Sequence, residues 1–286
     1  MLNVLVLGSS GMAGHVITLH LERNDKLNVS NISHRKRINE KTVVMDVTNF
    51  NLLSKYLDET NPNFIINCVG VLNQFAEENK ANAILLNGYL PHFLEEKYKN
   101  STTKIIHIST DCVFSGKEGN YFEDSFRDGD TFYARSKAIG EIVNEKDLTF
   151  RTSIIGPDIN ESGIGLFNWF MKSTGVINGY ANAYWTGVTT IELAKAIEAV
   201  IFSNLTGLYH LVPGNNINKY DLTNLFKNEF NREDVEIQRY ENYSVNKSLI
   251  NTRKDFNYAV PNYEEMILNM RLWIEYNRHL YPHYKF

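Results

Sequence analysis

Tyr133 and Lys137 stand four residues apart in the run Phe132-Tyr-Ala-Arg-Ser-Lys-Ala-Ile-Gly140. On a helix, positions i and i+4 share one face, so the phenol and the ammonium point into a single cleft. An unperturbed tyrosine titrates near ~10, too high for efficient proton exchange at neutral pH. A cation within hydrogen-bonding range favours the phenolate and lowers that value, and Lys137 supplies the cation. Upstream, Ile108-Ser-Thr-Asp-Cys-Val-Phe-Ser-Gly116 ends an apolar run with two hydroxyls and a carboxylate. A hydroxyl there can donate to a carbonyl while Tyr133 delivers its proton. The chemistry these residues can perform is carbonyl reduction beside a bound nicotinamide, whose ribose Lys137 can also hold.

A nicotinamide needs a dinucleotide site, and the chain opens with one. Gly8-x-x-Gly11-x-x-Gly14 follows an apolar strand and opens a helical pattern. Gly8 permits the tight turn, Gly11 the approach of a pyrophosphate, and Gly14 the packing of helix on strand. The diphosphate then meets the free N–H groups and dipole of the helix N-terminus, with Ser10 and Met12 among its contacts. After the second strand comes His34-Arg-Lys-Arg37, with no Asp or Glu between Asp25 and Glu40. An acid there would hold a ribose 2′-hydroxyl. Arg35 and Lys36 can instead pair with a 2′-phosphate, so NADPH is expected in preference, with NADH as the alternative. Asp46 and Val47, ending the third strand, suit the adenine edge. Cys68, Val69 and Gly70 end the fourth strand where the chain must run beside the cofactor.

The elements that position these residues alternate. Asn3–Leu7, Leu27–Ile32, Lys41–Asp46, Phe64–Cys68, Lys104–Ser109 and Leu148–Thr152 read as strands. Met12–Arg23, Asn49–Glu59, Ala81–Lys99 and Thr131–Asn144 read as helices. Near-continuous apolar strands separated by helices imply a doubly wound parallel sheet, the Rossmann arrangement, with its ligand crevice at the strand carboxyl ends. After Thr152 the rhythm changes. Residues 153–188 are rich in Gly, Asn and aromatics and show few clean strands. A helix at Thr190–Phe202, a strand at Gly207–Leu211, and runs at Tyr220–Phe230, Val235–Arg239 and Tyr263–Tyr276 follow. The expected division is a Rossmann domain of residues 1–152 plus about 189–205. A smaller mixed α/β substrate lobe takes about 153–188 and 206–286. Trp169, Tyr180 and Trp185 can line a pocket there or simply form its core.

Composition narrows the class. A net charge of −4, mixed along the chain, gives no case for nucleic acid or a membrane surface. Two cysteines are too few for a disulfide framework or a zinc site, and the histidines show no ligand spacing. No apolar run approaches the roughly 20 residues of a membrane helix. The first strand begins at Leu2 with no basic leader, so a reduced, cytoplasmic protein is expected.

These residues together resemble the extended short-chain dehydrogenase/reductase superfamily, and within it the dTDP-4-dehydrorhamnose reductase-like nucleotide-sugar reductases. The likeness rests on the glycine turn, Ser109-Thr-Asp-x-Val-Phe114, Tyr133-x-x-x-Lys137-Ala-x-Gly-Glu141 and Arg151-Thr152, and runs from Met1 to about Ile201. It implies Thr110, Tyr133 and Lys137 as the catalytic triad, with Thr110 orienting the carbonyl and Asp111 and Val113 on the substrate side. It also implies reduction of a 4-keto-6-deoxy sugar carried on a nucleotide diphosphate, feeding surface polysaccharide or glycan synthesis, in a monomer or homodimer. Cys112 stands where that family usually has an aromatic, and Tyr184-Trp-Thr-Gly-Val-Thr189 replaces its Gly-x-Pro-Thr. Val16 stands in the region where some members carry a magnesium-holding Glu, so no metal is expected. The alternatives are an epimerase or dehydratase of the same superfamily, or a silent relative that binds cofactor and regulates a partner. Cys112 in place of an acid after Asp111 argues against dehydration, and retention of both Tyr133 and Lys137 argues against a silent relative.

Overall fold

The structure, a computed structural model, describes residues 1–284. The chain runs β1 (Leu2–Leu7), α1 (Met12–Leu21), β2 (Leu27–Ser33), β3 (Thr42–Val44), α2 (Phe50–Thr60) and β4 (Phe64–Asn67). Then come α3 (Asn73–Glu78), α4 (Lys80–Ala83), a π-helical turn (Ile84–Tyr89), α5 (Leu90–Tyr98), β5 (Lys104–Ser109) and α6 (Phe132–Ile139). β6 (Leu148–Arg151), β7 (Ser153–Ile155), α7 (Leu166–Lys172), β8 (Gly175–Trp185), β9 (Gly187–Thr189) and α8 (Thr190–Ile201) follow. β10 (Gly207–His210), β11 (Ile217–Asn218), α9 (Lys219–Glu229), β12 (Val235–Asn246) and α10 (Tyr263–Tyr276) complete the order.

The main sheet has seven strands in the order β10-β6-β5-β4-β1-β2-β3, all parallel. Because strand side chains alternate between faces, β1 serves two cores at once. Val4 and Val6 pack with Val16, Ile17 and Leu21 of α1 and with Ile197 and Val200 of α8. Leu5 and Leu7 pack with Leu53, Leu57, Leu90 and Leu94 on the opposite face. The strand order reverses between β1 and β4, which opens a crevice at their carboxyl ends. Among the described residues no helix is long and apolar enough to cross a membrane.

Four departures from the sequence reading have local causes. The strand at Gly207, expected in the smaller lobe, pairs with β6 and extends the main sheet. The region read as poor in strands contains β8, eleven residues long, flanked by β11 and β12 in a separate three-stranded sheet. Its inward positions, Gly179, Ala181 and Ala183, are too small to register as an apolar stripe, yet they are buried. β3 stops at Val44, short of Asp46. The helix expected to reach Asn144 ends at Ile139 with Gly140 as its cap, packed so closely that a Cβ there would lie 1.9 Å from the Asn87 carbonyl oxygen.

Candidate active site

The glycine turn joins β1 to α1 in a conformation its sequence requires. Gly8 has φ +81°, a backbone region that side chains disfavour. A Cβ on Gly14 would lie 2.1 Å from the Gly8 carbonyl oxygen, so only glycine lets α1 approach this closely. No side chain caps α1 and its first turn holds no acid, which leaves N–H groups for an anion. Ser9 Oγ is fully buried at this turn and makes no hydrogen bond. Ser10 and Met12 are half-buried and Gly11 is exposed.

The turn is held from behind by residues far along the chain. His15 Nδ1–H donates to Gly11 O at 2.8 Å, and Tyr281 O–H donates to His15 Nε2 at 2.7 Å. Trp273 Nε1–H donates to the same tyrosine oxygen at 3.0 Å. A carbonyl only accepts and an indole N–H only donates, so these directions are the only consistent set. Burial, against the raising effect of the Gly11 bond, lowers the His15 pKa to about 4 and keeps the ring neutral. Tyr284 Oη accepts from Asp158 N–H and donates to Asn168, tying down the segment that leads to Gly165 beside the Met12 sulfur.

β5 delivers the reaction side. Thr110 and Asp111 follow its last residue and are buried, as are Val113, Tyr133 and Lys137. Burial raises the Tyr133 pKa, helped by Cys112 and Asp111 and opposed by Thr110 beside it. The lowering expected from Lys137 is therefore not found. Lys137 Nζ turns instead to Ile108 O at 2.7 Å and His107 Nε2 at 3.3 Å. Burial brings Lys137 itself down to about 8, against Glu141 and Cys68. The result is a tyrosine that holds its proton at neutral pH. Asp111 is also raised, by burial first, with Lys247, Thr110 and Lys219 opposing.

Beneath these groups lies an ion pair. Arg151 at the end of β6 gives Nε and Nη2 to the two oxygens of Glu141 at 2.8 and 2.7 Å. Ser109 Oγ donates to Glu141 Oε1 at 2.7 Å and Arg127 to Oε2 at 3.0 Å. Asn87 makes a second brace: its amide bonds both N–H and C=O of Val71 and donates to Ser136 Oγ on α6. Asn87 sits in the π-helical turn, where Pro91 lacks the N–H that an α-helix would send to its carbonyl. The sequence reading missed Asn87 and His107 and met Glu141 and Arg151 only as parts of motifs.

Other expected contacts separate into two groups. Cys68, Val69 and Gly70 do border the turn: the Cys68 carbonyl and a Val69 methyl press on Gly8, and Gly70 approaches Asn87. Burial raises the Cys68 thiol to about 12. Arg35 and Lys36 are exposed, and no ion pair joins them to another of the described residues. Asp46 is exposed beyond β3, with Oδ1 taken by Thr48 N–H and Oγ1 at 2.9 and 2.7 Å, and Val47 is buried. The aromatics do not converge. Trp185 is a core residue packed on Tyr263 at 5.8 Å, because it falls on the inward face of β8. Tyr180, on the outward face, packs on Tyr240 and Tyr243. Trp169 is 43% exposed on α7, one turn beyond Gly165.

The model of a family described as the RmlD substrate binding domain matches residues 2–249. A dTDP-4-dehydrorhamnose reductase of Aggregatibacter actinomycetemcomitans is 24% identical over 233 residues, 77% of this chain and 76% of that protein. A dTDP-4-keto-6-deoxy-D-glucose reductase of Streptomyces niveus is also 24% identical over 77% of this chain and 76% of its own length. A solved dTDP-4-dehydrorhamnose reductase of Bacillus anthracis, in complex with NADP, shares the fold. It superposes with a TM-score of 0.79 at 19% identity over 96% of this chain and 99% of that one.

Proposed function

The chain belongs to the RmlD substrate binding domain family, and on that premise we propose that it is an NADPH-dependent reductase of a nucleotide-diphosphate-linked 4-keto-6-deoxy sugar. The observation that carries the reading is Tyr133, buried beside Cys112 and the Thr110 hydroxyl at the end of β5, in surroundings that favour the protonated phenol. A proton donor to a new alkoxide must be protonated before hydride arrives, which is the state this environment favours. Thr110 orients the keto oxygen beside Tyr133. Lys137 is anchored on Ile108 O one helical turn beyond Tyr133.

The residues present fit a dinucleotide. The uncapped start of α1 and the glycine contact with Gly8 make room and donors for a diphosphate. Ser10, Gly11 and Met12 would hold it, Cys68 to Gly70 would flank it, and Asp46 and Val47 would stand at its adenine end. NADPH, when bound, supplies the hydride to C4 of the sugar. Asp111 and Val113 border the sugar, and the product is a deoxysugar nucleotide for glycan assembly in the cytoplasm.

The test of the function is direct. Purified protein should oxidise NADPH when given at least one member of a panel of 4-keto nucleotide sugars. Absence of oxidation with every member, alongside measurable NADPH binding, would remove the reductase reading.

Cofactor choice gives a second expected result. Arg35 and Lys36 carry free charge after β2, where a 2′-phosphate would lie. Replacing both with Ala should weaken NADPH through lost charge-assisted bonds, about 1.5–3 kcal/mol each, and leave NADH nearly unchanged. Equal weakening of both cofactors in parallel titrations would show that the pair does not read the phosphate.

A further inference from the structure

His107 lies on β5 behind Lys137 and is fully buried. Its ring nitrogens have two neighbours: Asn67 Nδ2 lies 3.1 Å from Nδ1, and Lys137 Nζ lies 3.3 Å from Nε2. A neutral imidazole has one N–H and one lone pair, so its neighbours decide which nitrogen carries the proton. Asn67 decides it here. Val69 N–H can only donate, and it points at Asn67 Oδ1 from 3.2 Å. The amide must therefore turn its Nδ2 to the ring, which makes His107 Nδ1 the acceptor. The single ring proton then sits on Nε2, aimed at Lys137. An ammonium has no lone pair to receive it. The contact is a hydrogen bond only when Nζ is a neutral amine, accepting from His107 and donating to Ile108 O at 2.7 Å.

We propose that His107 is a positioning residue whose Nε2–H makes the neutral amine the better-bonded form of Lys137. The proposal rests on the placement of Lys137 in the reductase site.

The other groups facing this pair act in both directions, and burial has the largest effect. Burial lowers Lys137 first, while Glu141 and Cys68 raise it. His107 is held well below its ordinary range by burial, then by Lys137 and His92, so no imidazolium forms near neutral pH.

The test is nitrogen NMR on protein labelled at histidine and lysine. Wild type should show His107 protonated on Nε2 and bare on Nδ1. Asn67→Asp gives the ring an acceptor at Nδ1, so it should invert the tautomer and raise the Lys137 titration midpoint by about one pH unit or more, tenfold in proton affinity. A wild-type ring protonated on Nδ1 would overturn the proposal. So would a Lys137 midpoint that stays in place when the tautomer inverts. If Asn67→Asp fails to fold, the wild-type tautomer alone decides. These signals are read without substrate, so an inactive wild type would remove the reductase reading and leave this outcome legible.

Discussion

Tyr133→Phe is expected to lower turnover of a 4-keto nucleotide sugar by about 10²–10⁴-fold, the usual contribution of a positioned acid. Folding and NADPH affinity should stay near wild type. The ring packs with Ala76 and Ala83 and against Val71 and Cys112, and phenylalanine keeps those contacts. What disappears is the hydroxyl that carries the proton in the proposed reduction. Single-turnover rates at saturating cofactor, with separate cofactor titrations, isolate the chemical step from binding. Near wild-type turnover would mean that the proton comes from another group, and the reading of this cleft would fail.

The second large effect concerns stability. Arg151→Met should destabilise the fold by about 3–5 kcal/mol, because it leaves a buried carboxylate without its bidentate partner. Glu141 would retain Ser109 and Arg127, and the Arg127 side chain is 44% exposed. The pH dependence has a definite sign. Burial pushes the Glu141 pKa up, but Arg151, Ser109 and Arg127 together bring it below the ordinary carboxylate value. A depressed carboxylate contributes stability that is present above the unfolded value, ~4.3, and is lost as pH falls through the folded one. Without Arg151, burial is far less opposed, and protonation relieves the stranded charge. The gap in melting temperature between wild type and variant should therefore narrow from pH 8 toward pH 5. A gap that is constant with pH would show that packing, not charge, accounts for the loss.

The parts of the fold that sequence made legible are those set by local rules. The glycine spacing forecast the turn, and Lys104–Ser109 and Tyr263–Tyr276 match their elements residue for residue. β8 was hidden because its buried face is built of glycine and alanine, which carry little hydrophobic signal. Trp185 looked like a pocket residue by type, whereas its position on the inward face makes it core. For Tyr133 and Lys137 the spacing told which face they share but not where the ammonium would go. That depends on Ile108 O and His107, 29 and 30 residues away in sequence. The protonation of His107 was beyond reach for the same reason, since it is decided by Asn67, 40 residues earlier on a neighbouring strand. Glu141 and Arg151 were visible as charges, and only the fold shows that each is buried because of the other.

The bond from Tyr281 to His15 closes a loop of 266 residues to reach a turn made well before Tyr281 itself. Closing so long a loop costs entropy that the docking of the C-terminal segment must offset, so the His15 brace reaches its full form only once that segment has folded back. Until then the Gly11 carbonyl has only its helical bond from His15 N–H to fix it. A newborn chain in which the C-terminal segment has yet to dock lacks this brace, and on the proposed function tight cofactor capture is expected only of molecules that have completed their assembly.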